Sequence, residues 1–225
     1  MQPRSRVWSY QAASGFSSGS YQKDLRTSME NELFAFISNY MPLSEAEKEA
    51  ITDLALIRTY QKGTVLLEAG DISPDGYFVL KGCLRSYYII DGEERTTSFY
   101  TEFDSFAPLS LVTKKPSEQY LSCVEDCILT VGNPEMEKAM FEKFPRFETL
   151  CRIMSEELLA KNQVSFDDFK TSTPEQRYLE FLKSRPDLVQ RVPQYQLASY
   201  LGMTPQSLSR IRKRLVTKTK ASPAH

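Results

Sequence analysis

Gln206 and Arg210 stand one helical turn apart in the stretch QYQLASYLGMTPQSLSRIRKRL, residues 194–215. A guanidinium bonds guanine bidentately, and a carboxamide does the same for adenine. At i, i+4 spacing the two side chains share a helix face. Thr204, Ser207 and Ser209 add hydroxyls to the segment. Arg212, Lys213 and Arg214, with Lys218 and Lys220 beyond, supply positive charge for phosphates. No Asp or Glu follows Asp187, so this end is locally basic. The residue types predict contact with double-stranded DNA through Thr204, Gln206, Ser207, Ser209, Arg210, Lys213 and Arg214. The bland alternative is a helical hairpin with a solvated basic face.

Two short helices must position these groups. Leu197, Ala198 and Leu201 fall on one face of the first, and Leu208, Ile211 and Leu215 on one face of the second. Gly202 sits where a residue past a helix end often needs positive φ. Thr204 is a natural N-cap, and Pro205 suits the first helical position. Ala198 is small where the helices must cross. The pattern is that of a helix-turn-helix, whose second helix enters the major groove.

The chain has 225 residues, 41% hydrophobic and 25% charged, with a net charge of −1 and a pI near 6.0. That balance fits a basic terminus on a more acidic body, not a protein that coats nucleic acid everywhere. No apolar run spans a bilayer and the N-terminus lacks an apolar signal core, so a cytoplasmic protein is expected. Cys83, Cys123, Cys127 and Cys151 form no C-x-x-C pair and read as reduced, buried structural thiols. The single histidine, His225, is the last residue. Its isolation argues against a Ser–His–Asp triad, a Cys–His pair and most zinc or iron sites. No catalytic residue, metal or cofactor is expected, and the chain does not read as an enzyme.

Residues 1–28 show no period and read as a flexible tail, and Met29 offers an alternative start. Residues 30–57 read as two helices, the second opened by a Ser44–Glu47 capping box and carrying Ile51, Leu54 and Ala55 inward. Strands are predicted at Thr64–Leu67, Tyr77–Leu80, Leu84–Ile90, Thr96–Tyr100 and Tyr120–Val131, with Asp91-Gly92 as a hairpin turn. Helices follow at Pro134–Phe144, from about Phe147 to Phe169, and at Pro174–Lys183. The long one repeats Leu150, Met154 and Leu158 every four residues, a stripe for the sheet or for a second copy. The expected class is α+β. It comprises an N-terminal double-stranded β-helix or jelly-roll sensor domain over 29–145, a long dimerisation helix over 146–170, and a C-terminal helix-turn-helix domain over 171–225.

The order resembles the Crp/Fnr family of bacterial transcription regulators. The likeness rests on Gly63-Thr64-Val65-Leu66-Leu67-Glu68-Ala69-Gly70-Asp71, on Tyr77-Phe78-Val79-Leu80-Lys81-Gly82, and on Leu197-Ala198 through Leu215. The resemblance implies a cyclic-nucleotide-binding-like roll and a homodimer paired along the long helix through Leu150, Met154 and Leu158. It also implies a two-fold DNA operator, with RNA polymerase as a further partner. An unidentified small-molecule effector would occupy the roll, beside Phe106, Ser110, Gln119 and Tyr120. The cyclic-AMP-binding members carry a Gly-Glu and an Arg-Ser in their phosphate cassette. The corresponding stretch here, Phe106–Tyr120, has no Arg and places Glu118 near the position of that cation. A buried phosphodiester without a cation is costly, so cyclic AMP bound in the family manner is not expected. Against this stands the alternative of a small-molecule-binding β-roll protein or cupin-like enzyme with a helical appendage. Such enzymes usually need a His-rich metal site. A partner-helix-binding module is the third reading.

Overall fold

The computed structural model describes residues 19–54 and 56–221. α1 (Gly19–Ser38) opens the chain. Residues 19–28, expected as tail, are therefore helical; residues 1–18, with Trp8, Tyr10 and Phe16, lie outside the described residues, as do Ala55 and His225. The reason is an apolar stripe: Met29, Leu33 and Ile37 recur every four residues and are all buried. Arg26 anchors the turn before them, pairing with Glu30 at 2.8 Å and donating to the Thr52 carbonyl at 3.2 Å. α2 (Glu45–Leu54) is opened by the predicted capping box. The Ser44 N–H donates to Glu47 Oε2 at 2.8 Å, and the Glu47 N–H to Ser44 Oγ at 3.4 Å.

Eight strands follow. They are β1 (Leu56–Tyr60), β2 (Val65–Leu67), β3 (Gly76–Lys81), β4 (Leu84–Ile90), β5 (Glu93–Tyr100), β6 (Ser105–Phe106), β7 (Tyr120–Cys123) and β8 (Cys127–Gly132). One turn of helix, α3 (Leu109–Thr113), separates the last two from the rest. The strands form two antiparallel four-stranded sheets, ordered β1-β8-β3-β6 and β2-β7-β4-β5. Asp91 and Gly92 both take positive φ, +53° and +78°, as a two-residue hairpin of mirror-image twist requires. The single strand expected over Tyr120–Val131 is two strands in different sheets, joined by Val124-Glu125-Asp126. β1 and β6 were not anticipated.

Alternation along the strands divides the apolar residues between two faces. Leu67, Val79, Leu84, Leu121, Cys123, Cys127 and Leu129 fill the interior between the sheets, with Phe106 at the edge. On the outer side of the first sheet, Leu80 and Ile128 pack against α1, α2, α4 (Pro134–Lys143) and the start of α5 (Arg146–Thr171). Beyond it lie α6 (Pro174–Ser184), α7 (Leu188–Arg191), α8 (Gln194–Tyr200) and α9 (Pro205–Ala221). These four helices form a small unit whose core is Tyr178, Phe181, Leu188, Val192, Leu197, Leu201, Leu208 and Ile211. That core is continuous with Cys83, Phe99 and Val124 on the outer side of the second sheet, so the unit is seated on the roll of its own chain.

Candidate nucleic-acid interface

The turn between α8 and α9 follows the predicted chemistry. Gly202 takes φ +67°, its N–H donates to the Ser199 carbonyl at 3.0 Å, and the Met203 N–H reaches back to Ala198 at 3.0 Å. These bonds satisfy the carbonyls that end α8. A Cβ at Gly202 would lie 2.8 Å from both the Arg177 guanidinium and the Phe169 ring. Thr204 Oγ1 accepts from the Ser207 N–H at 3.2 Å, and Pro205 opens α9. Ala198 is fully buried where the helices meet.

α9 is strongly two-faced. Leu208 and Ile211 are buried, and Leu215 packs on the same core. Thr204, Gln206, Arg210, Lys213 and Arg214 are exposed, while Ser207, Ser209 and Arg212 are half-buried. All seven residues read from the sequence therefore lie at the start of α9 or along it. Arg210 donates to Ser207 Oγ at 3.3 Å, which holds its guanidinium against the first turn. Arg214 pairs with Glu175 at the start of α6, so contact with a phosphate requires it to change partners. The side chains of Lys218 and Lys220 lie outside the described residues.

Each of the four residues nominated in the roll is engaged by a partner within the protein. Phe106 is buried against Tyr100, ring centroids 4.9 Å apart. The Ser110 hydroxyl is buried and accepts from the Ser73 N–H at 3.2 Å. Gln119 donates to Tyr88 at 2.8 Å. Tyr120 lies on the other face of β7 from Leu121, whose side chain fills the interior, and stacks on Tyr87 at 5.1 Å. Beside Tyr87 sits Arg85, a buried cation that pairs with Glu94 at 2.6 Å and donates to Thr96 at 2.8 Å.

The long helix also divides differently from its sequence stripe. Leu150 is buried in the core shared with α1, and Met154 is partly buried against the same core. From residue 155 to 170 every side chain is exposed, Leu158, Leu159, Val164, Phe166 and Phe169 among them.

Sequence reasoning missed the contacts that seat the helical unit on the roll. Arg191 is held between two turns, donating to Glu102 at 2.8 and 2.9 Å and to Glu125 at 2.5 and 3.0 Å. Its bonds to Glu102 lead the causes that raise the Arg191 pKa further. Burial alone would raise the Glu102 pKa; Arg191 and the Gly82 N–H outweigh it and hold the carboxyl below its usual range. Arg185 donates to Thr101 Oγ1 at 2.7 Å. On β5, an edge strand, Ser199 Oγ accepts from the Thr96 N–H at 2.9 Å and donates to the Glu94 carbonyl at 3.2 Å. No local signal announces such partners; 66 and 89 residues separate Arg191 from its two carboxylates.

Among the described residues no cluster of three or more His, Cys, Asp or Glu side chains is arranged to hold a metal ion, and no helix is long and apolar enough to cross a membrane. An open groove of about 480 Å³ runs beside α4, lined by Pro134, Phe141 and Pro145 with Glu137 and Lys138, apart from both the roll interior and α9.

Residues 57–144 match the cyclic nucleotide-binding domain family. No curated protein matches the chain in sequence. Among solved structures the chain is similar to FixK2 from Bradyrhizobium japonicum, with 17% identity, 73% of this chain and 86% of that one covered, and a TM-score of 0.63. It is similar to CLP, described as a c-di-GMP-responsive global regulator of Xanthomonas campestris, with 18% identity, coverage of 78% and 93%, and a TM-score of 0.61. A CooA variant from Carboxydothermus hydrogenoformans aligns with 17% identity, coverage of 74% and 78%, and a TM-score of 0.59. These neighbours are Crp/Fnr-type regulators, and the chain has their fold.

Proposed function

We infer, from a cyclic-nucleotide-binding-domain roll set within the Crp/Fnr fold, that this chain is a DNA-binding transcription regulator acting as a homodimer. The observation that carries the reading is the two-faced α9. Its apolar face is sealed against α8, and Gln206, Arg210 and Lys213 stand on the open side with no acidic residue in the last 38 positions. In the major groove Arg210 bonds guanine and Gln206 adenine, while Thr204, Lys213 and Arg214 serve phosphates. Two copies paired along the exposed half of α5 present two such helices to half-sites about 34 Å apart.

The sensor reading is that this roll does not take cyclic AMP in the family manner. Segment 106–120 has no Arg, Glu118 is exposed, and Ser110 and Gln119 are bonded within the roll. An effector of other chemistry, if it acts, works by binding one seat of the helical unit better than another.

The test is operator selection from random duplexes, followed by comparison of wild type with Arg210→Ala on the selected and scrambled sites. The expected loss is about 1–3 kcal/mol on the operator, with relaxed choice at one base pair. Equal discrimination by the two proteins would overturn the assignment.

A further inference from the structure

β5 and β6 are joined through a tight turn, Thr101-Glu102-Phe103-Asp104. The Asp104 N–H donates to the Thr101 carbonyl at 2.9 Å, and the Thr101 N–H to Asp104 Oδ2 at 2.8 Å. Phe103, third in the turn, takes φ +69°. Turns with positive φ at that place favour Gly or Asn there, because a Cβ resists the left-handed region. A phenylalanine held in it stores strain. What holds it is a stack. The Phe103 ring lies against that of Phe36 on α1, with centroids 4.9 Å apart and an interplanar angle of 4°. Phe78 sits beside both, at 5.4 Å from Phe36 and 6.4 Å from Phe103.

The same turn carries two of the contacts that seat the helical unit. Arg191 donates to both carboxylate oxygens of Glu102, at 2.8 and 2.9 Å, and Arg185 donates to Thr101 Oγ1 at 2.7 Å. On the far side, α1 is tied to the long helix. The Tyr40 hydroxyl donates to Glu157 of α5 at 2.9 Å, and the Tyr40 ring meets Phe36 edge to face at 5.6 Å. A continuous line of contacts thus runs from α5 through Tyr40, Phe36, Phe103 and Glu102 to Arg191.

We propose that the turn 101–104 is a conformational relay: α1 clamps Phe103 in the left-handed region, and that conformation presents Thr101 and Glu102 to the C-terminal helical unit. The two-state element is one backbone dihedral. With the ring on Phe36, φ is positive and the Glu102 carboxylate meets Arg191. With the ring off Phe36, rotation to negative φ relieves the strain. The Val79 N–H bond to the Asp104 carbonyl, 3.0 Å, anchors the chain beyond the turn, so the rotation falls on the Glu102–Phe103 peptide. It takes the Phe103 N–H from the Val79 carbonyl, now 2.8 Å away, and draws Glu102 from Arg191. The coupling is reciprocal. A displaced α1 loosens the seat, and an unseated helical unit frees the turn. The relay needs only the seated arrangement and is independent of DNA binding.

Hydrogen exchange of the full chain, read over residues 185–201, tests it. Two replacements remove the Phe103 ring alike but differ in their tolerance of positive φ. Phe103→Gly adopts the turn freely and should leave exchange there within about twofold of wild type. Phe103→Val, whose branched Cβ rejects that region, should speed it at least about tenfold. Phe36→Ala removes the clamp and keeps the strain, so it should speed exchange over the same residues about fivefold. Adding Phe103→Gly to Phe36→Ala should restore slow exchange, whereas a simple loss of packing would be deepened by losing the second ring. Equal exchange over 185–201 in Phe103→Gly and Phe103→Val would overturn the proposal. So would a Phe36→Ala effect confined to residues 19–54, or one that Phe103→Gly makes worse.

Discussion

Replacing Leu159 and Phe166 with glutamate should separate the proposed dimer without unfolding the protomer. Both lie on the half of α5 where every side chain is exposed, Leu159 at 70% and Phe166 at 55% of full accessibility. Full burial of a Leu or Phe side chain is worth about 1.5–3 kcal/mol. Scaled by their exposure, each contributes about 1.3 kcal/mol when a partner helix covers it. A symmetric pairing loses both residues on both protomers, or about 5 kcal/mol, before the repulsion of four carboxylates in one seam. That raises the dimer Kd by more than about a thousandfold. Sedimentation velocity over a wide concentration range reads the change, and circular dichroism confirms that the protomer is folded. Leu150→Glu is the contrasting control, since that residue is buried in its own protomer's core and its substitution should melt the chain. A double variant that sediments as wild type would refute the assignment of this face to a partner copy.

Two further outcomes follow from the same geometry. Gly82 takes φ +104° and has backbone within 3 Å of where a Cβ would go, so Gly82→Ala should destabilise the roll by more than about 2 kcal/mol, read by thermal unfolding. Burial would raise the Glu47 pKa, but the Ser44 N–H and hydroxyl together with Arg146 hold it below normal; its contribution is present above the unfolded carboxylate pKa and is lost as pH falls through the lower folded value. Glu47→Gln should accordingly flatten the melting temperature between pH 5 and 3, about the range in which a free carboxyl titrates.

The helical hairpin was legible because its signals are local. Thr204, Pro205 and Gly202 each act through a backbone dihedral or a bond within four residues. Asp91-Gly92 worked for the same reason. The turn Val124-Glu125-Asp126 carries no glycine or proline, so β7 and β8 read as one run. β1 was absorbed into the helix before it because Leu56–Tyr60 follows α2 with no break residue. The stripe Leu150, Met154, Leu158 is real, yet a period cannot say which surface covers it. Its first two members pack in the core that α5 shares with the roll, while Leu158 is exposed with Leu159, Val164, Phe166 and Phe169. Tyr120 neighbours Leu121 on β7, and a strand sends neighbours to opposite faces, so its ring meets Tyr87 and not the interior that Leu121 fills.

The contacts that seat the helical unit differ in how they tolerate movement. Arg191 between Glu102 and Glu125 is directional, as are the two Ser199 bonds to the edge of β5. The apolar contact is not. Phe99, Tyr200 and Phe181 meet edge to face, with centroids 5.4 and 5.9 Å apart, and such a cluster keeps its burial through a change of angle. Detaching the unit entirely would bare that cluster, strip the Thr96 N–H of its partner and open the edge of β5 to pairing with another chain. Re-seating avoids all three penalties. The directional bonds could exchange partners while the aromatic cluster stays buried, so a change of seat would turn on that cluster. On the proposed function, such a change would alter the angle between the α9 helices of two paired copies, the quantity on which simultaneous contact with both half-sites would depend.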